Sequence, residues 1–275
     1  MENWGEKIWG ILERVRAERP LVHHITNMVV MNDTANLTLH LGASPVMAHA
    51  REEVAEMVGM AGALVLNIGT LTPSLVEAML VAGRAANERG VPIVLDPVGA
   101  GATRLRTESA RRLMAELRLA VLRGNAAEVS VLAGCGGRVK GVDAAGGEAD
   151  PVFVARRLAK EHGMVVAITG PRDVVSDGER VLVVENGHPL MGAITGTGCM
   201  ATTAVAAFAA VEKDRTVAAV AALACFGIAG ELAAERAAGP GSFKVALFDE
   251  VANLTPEVLA ARARIVQPAA EGVGR

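Results

Sequence analysis

Gly192-Ala-Ile-Thr-Gly-Thr-Gly-Cys-Met-Ala-Thr-Thr-Ala-Val-Ala-Ala207 changes character halfway along. Its first half is too rich in glycine and hydroxyls for a packed strand, and its second half is small, apolar and helix-forming. A turn made by Gly192, Gly196 and Gly198 that opens a helix leaves backbone N–H groups unpaired and facing outward. With the positive end of the helix dipole they form a cavity for an anion, to which the Thr195 and Thr197 hydroxyls add donors. The plainer reading is a loop-to-helix junction whose glycines serve close packing. What stands beside the turn decides between the two.

Working outward, short apolar runs alternate with helical patterns. Residues 3–18 put Trp4, Ile8, Ile11, Leu12 and Val15 on one helical face, and Pro20 stops that helix. Strands are expected at 21–27, 44–48, 63–68, 92–96, 119–122 and 164–170, the middle ones continuously apolar like strands covered on both faces. Between them, helices are predicted from an Asn32-Asp33 cap to His40, over 51–60, from Thr72-Pro73 to Gly90, over 107–117, from Asn125 onward, and from Asp150-Pro151 to Gly163. Arg123-Gly124-Asn125 reads as the turn into the helix that carries Glu128. Val174-Val175, Asp177-Gly178 and Val181–Val184 have the signature of a tight hairpin. Three Ala-rich helices follow, near 197–212, 216–237 and 243–263. The glycine-rich stretch 134–150 reads as an exposed loop and 267–275 as a frayed tail. With no internal repeat and no linker, the pattern predicts a single α/β domain over residues 1–275: a mainly parallel sheet with helices on both faces, three layers in all.

Composition narrows the function classes. Hydrophobic residues make up 51% of the 275, yet aromatics only 3% with no Tyr, so Ala, Val and Leu must fill the core. A net charge of −3 with no basic block argues against nucleic acid or an anionic membrane as partner. Pro189–Val211 carries no charge, but the glycine-threonine turn breaks it, and a buried helix is the better reading than a membrane span. Cys135, Cys199 and Cys225 have no metal-ligand spacing and read as reduced thiols of a cytoplasmic protein. Glu2, Glu6, Glu13 and Glu18 do not fit a secretory signal.

In sheets of this kind ligands sit beyond the carboxyl ends of the strands, where Asn27, Met47, Asn67, Asp96, Arg123–Asn125 and Thr169-Gly170 all fall. Asp96 is either a turn residue before Pro97 or a carboxylate that holds Mg²⁺ directly or through water. Glu128, three residues after Asn125, either closes a capping box or shares that cation. Two carboxylates and an anion cavity on one rim suit phosphoryl transfer with Mg²⁺ between nucleotide phosphates. Arg123 can pair with a phosphate, and Thr169-Gly170 offers a hydroxyl and exposed backbone. Cys199 stands in the first turn of the helix, where the dipole lowers a thiol pKa and suits it to accept a proton; the alternative is a small buried thiol. His23 and His24 alternate sides of a strand, so at most one faces a pocket. The remaining histidines have no metal spacing, and no P-loop is present.

Assembled, these pieces closely resemble the hydroxyethylthiazole kinases, the thiamine-salvage branch of the ribokinase-like superfamily. They are His24-Ile-Thr-Asn27-Met, Ser44-Pro-Val-Met47, Asn67-Ile-Gly-Thr, Leu95-Asp96-Pro-Val-Gly-Ala, Arg123-Gly-Asn-Ala-Ala-Glu128, Ile168-Thr169-Gly and Ala193-Ile-Thr-Gly196-Thr-Gly-Cys199, in order over residues 20–205. The resemblance implies a ribokinase-like fold and phosphorylation of 4-methyl-5-(2-hydroxyethyl)thiazole by ATP with Mg²⁺. It implies thiazole contacts from Asn27, Met47 and Gly196, ATP contacts from Arg123 and Thr169, beside which the exposed backbone of Gly170 is a further candidate, and the metal near Asp96 and Glu128. Catalysis falls to Gly196, Thr197, Gly198 and Cys199, the last standing where the wider superfamily has an aspartate base. A cytoplasmic homotrimer with sites between subunits is implied as well. The rivals are another small-alcohol kinase of the superfamily (for a hydroxymethylpyrimidine or a sugar), an ADP-dependent nicotinamide-hydrate dehydratase, and a non-catalytic nucleotide- or thiazole-binding sensor.

Overall fold

Ala63–Asn67 forms strand β3, buried at every residue. Leu64 and Leu66 pack into one apolar cluster while Ala63 and Val65 pack into the other, because side chains alternate across a strand. A strand apolar on both faces demands cover on both. The computed structural model describes residues 3–135 and 150–268, and in it β3 lies inside a nine-stranded sheet. The other strands are β1 (Leu21–Ile25), β2 (Ser44–Val46), β4 (Ile93–Asp96), β5 (Val121–Asn125), β6 (Val165–Thr169), β7 (Asp173–Ser176), β8 (Val181–Val184) and β9 (Ile265–Val266). Their order is β2-β1-β3-β4-β5-β6-β7-β8-β9. The pairs from β2 to β6 are parallel and those from β6 to β9 antiparallel. This is the expected mainly parallel α/β architecture, with the expected hairpin as β7–β8.

One face is covered by α1 (Trp4–Glu18), α2 (Met31–His40), α8 (Thr197–Val211), α9 (Arg215–Arg236), α10 (Pro240–Asn253) and α11 (Pro256–Arg262). The other carries α3 (Val54–Val58), α4 (Pro73–Arg89), α5 (Arg104–Glu116), α6 (Ala126–Leu132) and α7 (Pro151–His162). Alanine does what aromatics do elsewhere: α8 and α9 approach the sheet and each other closely, and α9 is buried at every residue from Thr216 to Gly230. By length and composition α9 would cross a membrane; its burial makes it a core helix.

Several boundaries differ from the sequence reading. β5 does not end at Leu122: Arg123, Gly124 and Asn125 continue the ladder opposite Ala167, Ile168 and Thr169. Backbone pairing extends the strand past its apolar run. The segment near 243–263 is two helices, because Thr255 caps a new one with Pro256 at its first position. Asn32-Asp33 is not a cap. Asn27 Oδ1 accepts from the amides of Val29 and Val30, so the chain turns earlier and α2 starts at Met31. α3 is shorter than expected, and α5 starts at Arg104 on a Thr103 cap. The expected loop over 134–150 and tail over 267–275 lie almost wholly outside the described residues.

Candidate active site

Neighbouring strands bring their carboxyl ends into one row. Asn27 follows β1, Asn67 ends β3, Asp96 ends β4, Arg123 and Asn125 lie at the end of β5, and Thr169 ends β6. The N-terminus of α8 comes down on that row. Gly196, at φ 92°, makes the turn into α8, and a Cβ there would stand 2.7 Å from Val30 Cγ1. The first amide to close a helical turn is that of Met200, onto the Gly196 carbonyl at 2.8 Å. The amides of Thr197, Gly198 and Cys199 take no partner among the described residues. They are the free donors that the glycine turn predicted. The Thr197 hydroxyl is not one of them, because it donates to the Met191 carbonyl at 2.8 Å.

Gly198 lies against Arg123: a Cβ on it would stand 2.8 Å from Arg123 Nη1. The guanidinium is nearly buried, donates through Nη2 to Thr169 Oγ1, and has no partner for Nε among the described residues. Arg123 and Gly198 line both of two adjoining cavities. The smaller, about 350 Å³, is bounded by Asn27, Val30, Asp96, Glu128, Gly196 and Cys199. The larger, about 550 Å³, runs from Thr169, Gly170 and Asp173 over Ala201, Leu223 and Phe226 to Asn186 and His188.

Asp96 is buried, and its Oδ2 accepts from Thr202 Oγ1 at 2.8 Å and Asn67 Nδ2 at 2.9 Å, with Arg123 Nη1 3.8 Å away. Its Oδ1 is buried with no partner among the described residues. Burial pushes its pKa up to about 6 against Arg123 and these donors. Glu128 faces the same cavity and also closes the capping box: Oε2 accepts from the Asn125 amide at 3.0 Å, Oε1 from the Gly99 amide at 2.7 Å, and Asn125 Oδ1 accepts from the Glu128 amide at 2.9 Å. Among the described residues no three His, Cys, Asp or Glu side chains gather as a metal cage.

Other expectations need correction. Burial, reinforced by Asp96, raises the Cys199 thiol to about 11 against the Asn67 and Asn27 donors and Arg123, so the group is a neutral thiol rather than the thiolate expected of a helix start. Its Sγ accepts from Asn67 Nδ2 at 3.2 Å and Asn27 Nδ2 at 3.4 Å. The Gly170 amide is not free, since it donates to Asp173 Oδ1 at 3.0 Å. Met47 lines neither cavity. It follows the edge strand β2, and its carbonyl accepts from His49 Nδ1, whose Nε2 accepts from the Thr26 amide. His23 and His24 are buried on Ala48 and Thr38 and line neither cavity.

A family model described as the hydroxyethylthiazole kinase family matches residues 12–257. The chain belongs to the hydroxyethylthiazole kinase family. It is 61% identical to the hydroxyethylthiazole kinase of Roseiflexus sp. (strain RS-1), over 97% of this chain and 99% of that one. It is 62% identical to the hydroxyethylthiazole kinase of Desulforudis audaxviator (strain MP104C), over 92% and 93%. The solved structure of the hydroxyethylthiazole kinase protein from Pyrococcus horikoshii OT3 shares 46% identity and a TM-score of 0.89, covering 96% of this chain and all of that one. An ADP complex of Bacillus subtilis pyridoxal kinase, at 17% identity and a TM-score of 0.56 over 76% of this chain, shares the fold alone, which is ribokinase-like.

A hydroxyethylthiazole kinase needs room for an alcohol and a nucleotide, and the two cavities meet at Arg123 and Gly198. Sequence reasoning gave no role to Asn67 or Thr202. Both left a signal: Asn67 closes an apolar strand just as Asp96 does, and Thr202 stands three residues after Cys199, on the same helical face.

Proposed function

We propose that this chain acts as its family's name says, transferring the γ-phosphoryl group of ATP to the primary hydroxyl of 4-methyl-5-(2-hydroxyethyl)thiazole in thiamine salvage. One observation carries the reading: three amides at the start of α8 that take no partner among the described residues, with Gly198 against Arg123 where the two cavities meet. The smaller cavity takes the thiazole, beside Asn27, Val30 and Gly196. The larger takes the nucleotide, its base over the apolar floor of Ala201, Leu223 and Phe226 and its phosphates toward Thr169 and Arg123. The hydroxyl attacks in line, and the amides of Thr197, Gly198 and Cys199 hold the charge that develops on the transferred group. A loose transition state asks little of a base, in keeping with a neutral Cys199 thiol.

Asp96 Oδ1, buried and without a partner among the described residues, fits a hydrated divalent cation, with Glu128 on the same wall. Asp96 and Glu128 would hold such a cation, which would supply charge neutralisation to the phosphates of the nucleotide. Together the cavities draw on residues from Asn27 to Gly227 and share Arg123 and Gly198, which supports one kinase domain. Exposed Met28 (74%) and Val29 (63%) beside the cavity suit a site that a neighbouring subunit covers, and the homotrimer itself rests on the family resemblance. Three free cysteines suit a cytoplasmic location.

The test is Mg·ATP-dependent phosphorylation across a small panel of heteroaromatic alcohols and sugars. The thiazole alcohol should be the preferred acceptor by kcat/KM. Preference for a pyrimidine or sugar alcohol would overturn the substrate, and ATP binding without turnover would overturn the kinase. Analytical ultracentrifugation that finds a monomer would remove the trimer.

A further inference from the structure

We infer that Asn67 is a positioning residue of the phosphoryl transfer, one that fixes the Cys199 thiol and the Asp96 carboxylate relative to Asn27; this rests on the reading of the smaller cavity as the acceptor-alcohol site. Asn67 is 1% exposed, and its amide uses all four of its hydrogen-bonding positions. Oδ1 accepts from Asn27 Nδ2 at 2.8 Å and from the Gly69 amide at 2.9 Å. Nδ2 donates to Asp96 Oδ2 at 2.9 Å and to Cys199 Sγ at 3.2 Å. The Gly69 amide can only donate and an ionised carboxylate only accept, so these two partners fix which end of the Asn67 amide is oxygen. The register places Asn67 directly opposite Asp96 on the adjacent parallel strand. One small side chain therefore joins the wall beside the alcohol, the thiol at the helix start and the carboxylate behind it.

The consequence for Cys199 is geometric. Its sulfur accepts from two amide donors, Asn67 and Asn27, so both lone pairs of a neutral thiol are engaged. The thiol proton must then point away from both asparagines. Cys199 presents a fixed S–H rather than a free lone pair, and Asn67 is what holds it in that pose.

Steady-state kinetics with both substrates varied tests this on Asn67→Ala and Asn67→Asp, alone and combined with Cys199→Ala. Asn67→Asp keeps an acceptor for Asn27 and Gly69 but removes the donors to Asp96 and Cys199. A lost positioning contact of this kind should lower kcat roughly 10- to 100-fold while KM for ATP stays close to wild type. Asn67→Asp should be no better than Asn67→Ala, and Cys199→Ala should add little to either, because Asn67 acts partly through the thiol. A wild-type kcat in a variant that only melts at lower temperature makes Asn67 structural and overturns the inference, as does full additivity with Cys199→Ala. Where Asn67→Ala does not fold, Asn67→Ser replaces it with the same expectation. A wild-type enzyme inactive on the thiazole alcohol would instead sink the functional reading itself.

Discussion

Gly198 leaves the space that the Arg123 guanidinium fills: a Cβ on Gly198 would stand 2.8 Å from Nη1 and 3.2 Å from Nη2. The backbone of α8 and the charge at the end of β5 are therefore adjusted to each other. Gly198→Ala should displace the tip of Arg123 rather than the helix, because φ at Gly198 is not left-handed and a side-chain end moves more cheaply than backbone. The fold should survive, and kcat/KM for ATP should fall about 10- to 100-fold, the scale of an ångström of misplacement. Thermal melts alongside kinetics check this. Unchanged kinetics would mean that Arg123 does not hold a phosphate.

Replacement of Cys199 by Ala or Ser should leave substantial turnover. A general base contributes about 10²- to 10⁴-fold, whereas a thiol that stays protonated at neutral pH contributes through contact alone. The expected loss is below about 100-fold, read in kcat. A loss at the upper end of the general-base range would make the thiol the proton acceptor after all.

Asp96 and Glu128 face one cavity but are built differently, and their variants should part company. Asp96→Ala removes the buried carboxylate facing Arg123 and should raise the requirement for Mg·ATP far more than the KM for the thiazole. Glu128→Ala should do the same to a lesser degree and also cost about 1 kcal/mol of stability through the lost cap. Magnesium titrations and chemical denaturation separate the two effects. An Asp96→Ala enzyme with normal magnesium dependence would remove the metal assignment.

His24 should make the fold acid-sensitive. Burial, with His23 and His49 adding to it, pulls its pKa from 6.5 to about 3. Between those values the unfolded chain binds a proton that the folded chain refuses. Stability is full above pH 6.5 and is lost as pH falls toward 3, at about 1.4 kcal/mol per pH unit for one proton. Asp96 and Asp173, each pushed up to about 6, act with the opposite sign between pH 6 and 3.8, so the comparison must be made within a pair. Denaturation of wild type and His24→Gln from pH 7 to 4 should show a shallower acid slope in the variant. Equal slopes would place the sensitivity elsewhere.

The layers of the fold were legible because Ala63–Asn67 and Ile93–Asp96 are short apolar runs set between helical patterns, as strands covered on both faces are. The rim was legible for a related reason, since the polar residues Asn67, Asp96 and Thr169 that close the apolar runs of β3, β4 and β6 sit where those strands end. Three things were not. The pairing that carries β5 through Asn125 is a property of its neighbour β6 rather than of its own apolar run. The state of Cys199 depends on Asp96, more than a hundred residues earlier in the chain, and on burial that no local pattern records. The occupied amide of Gly170 depends on where the Asp173 side chain turns, a conformational detail invisible in a Thr-Gly pair.

Arg123 forms a wall common to both cavities, with Gly198 behind it. A guest on either side that draws the guanidinium toward itself changes the room left for the other. By thermodynamic reciprocity the nucleotide's grip must respond to the alcohol by the same factor as the alcohol's responds to the nucleotide. With the two ligands seated as proposed, their affinities are expected to be coupled through a single cationic partition, and calorimetry of either one with and without the other checks both halves of the exchange.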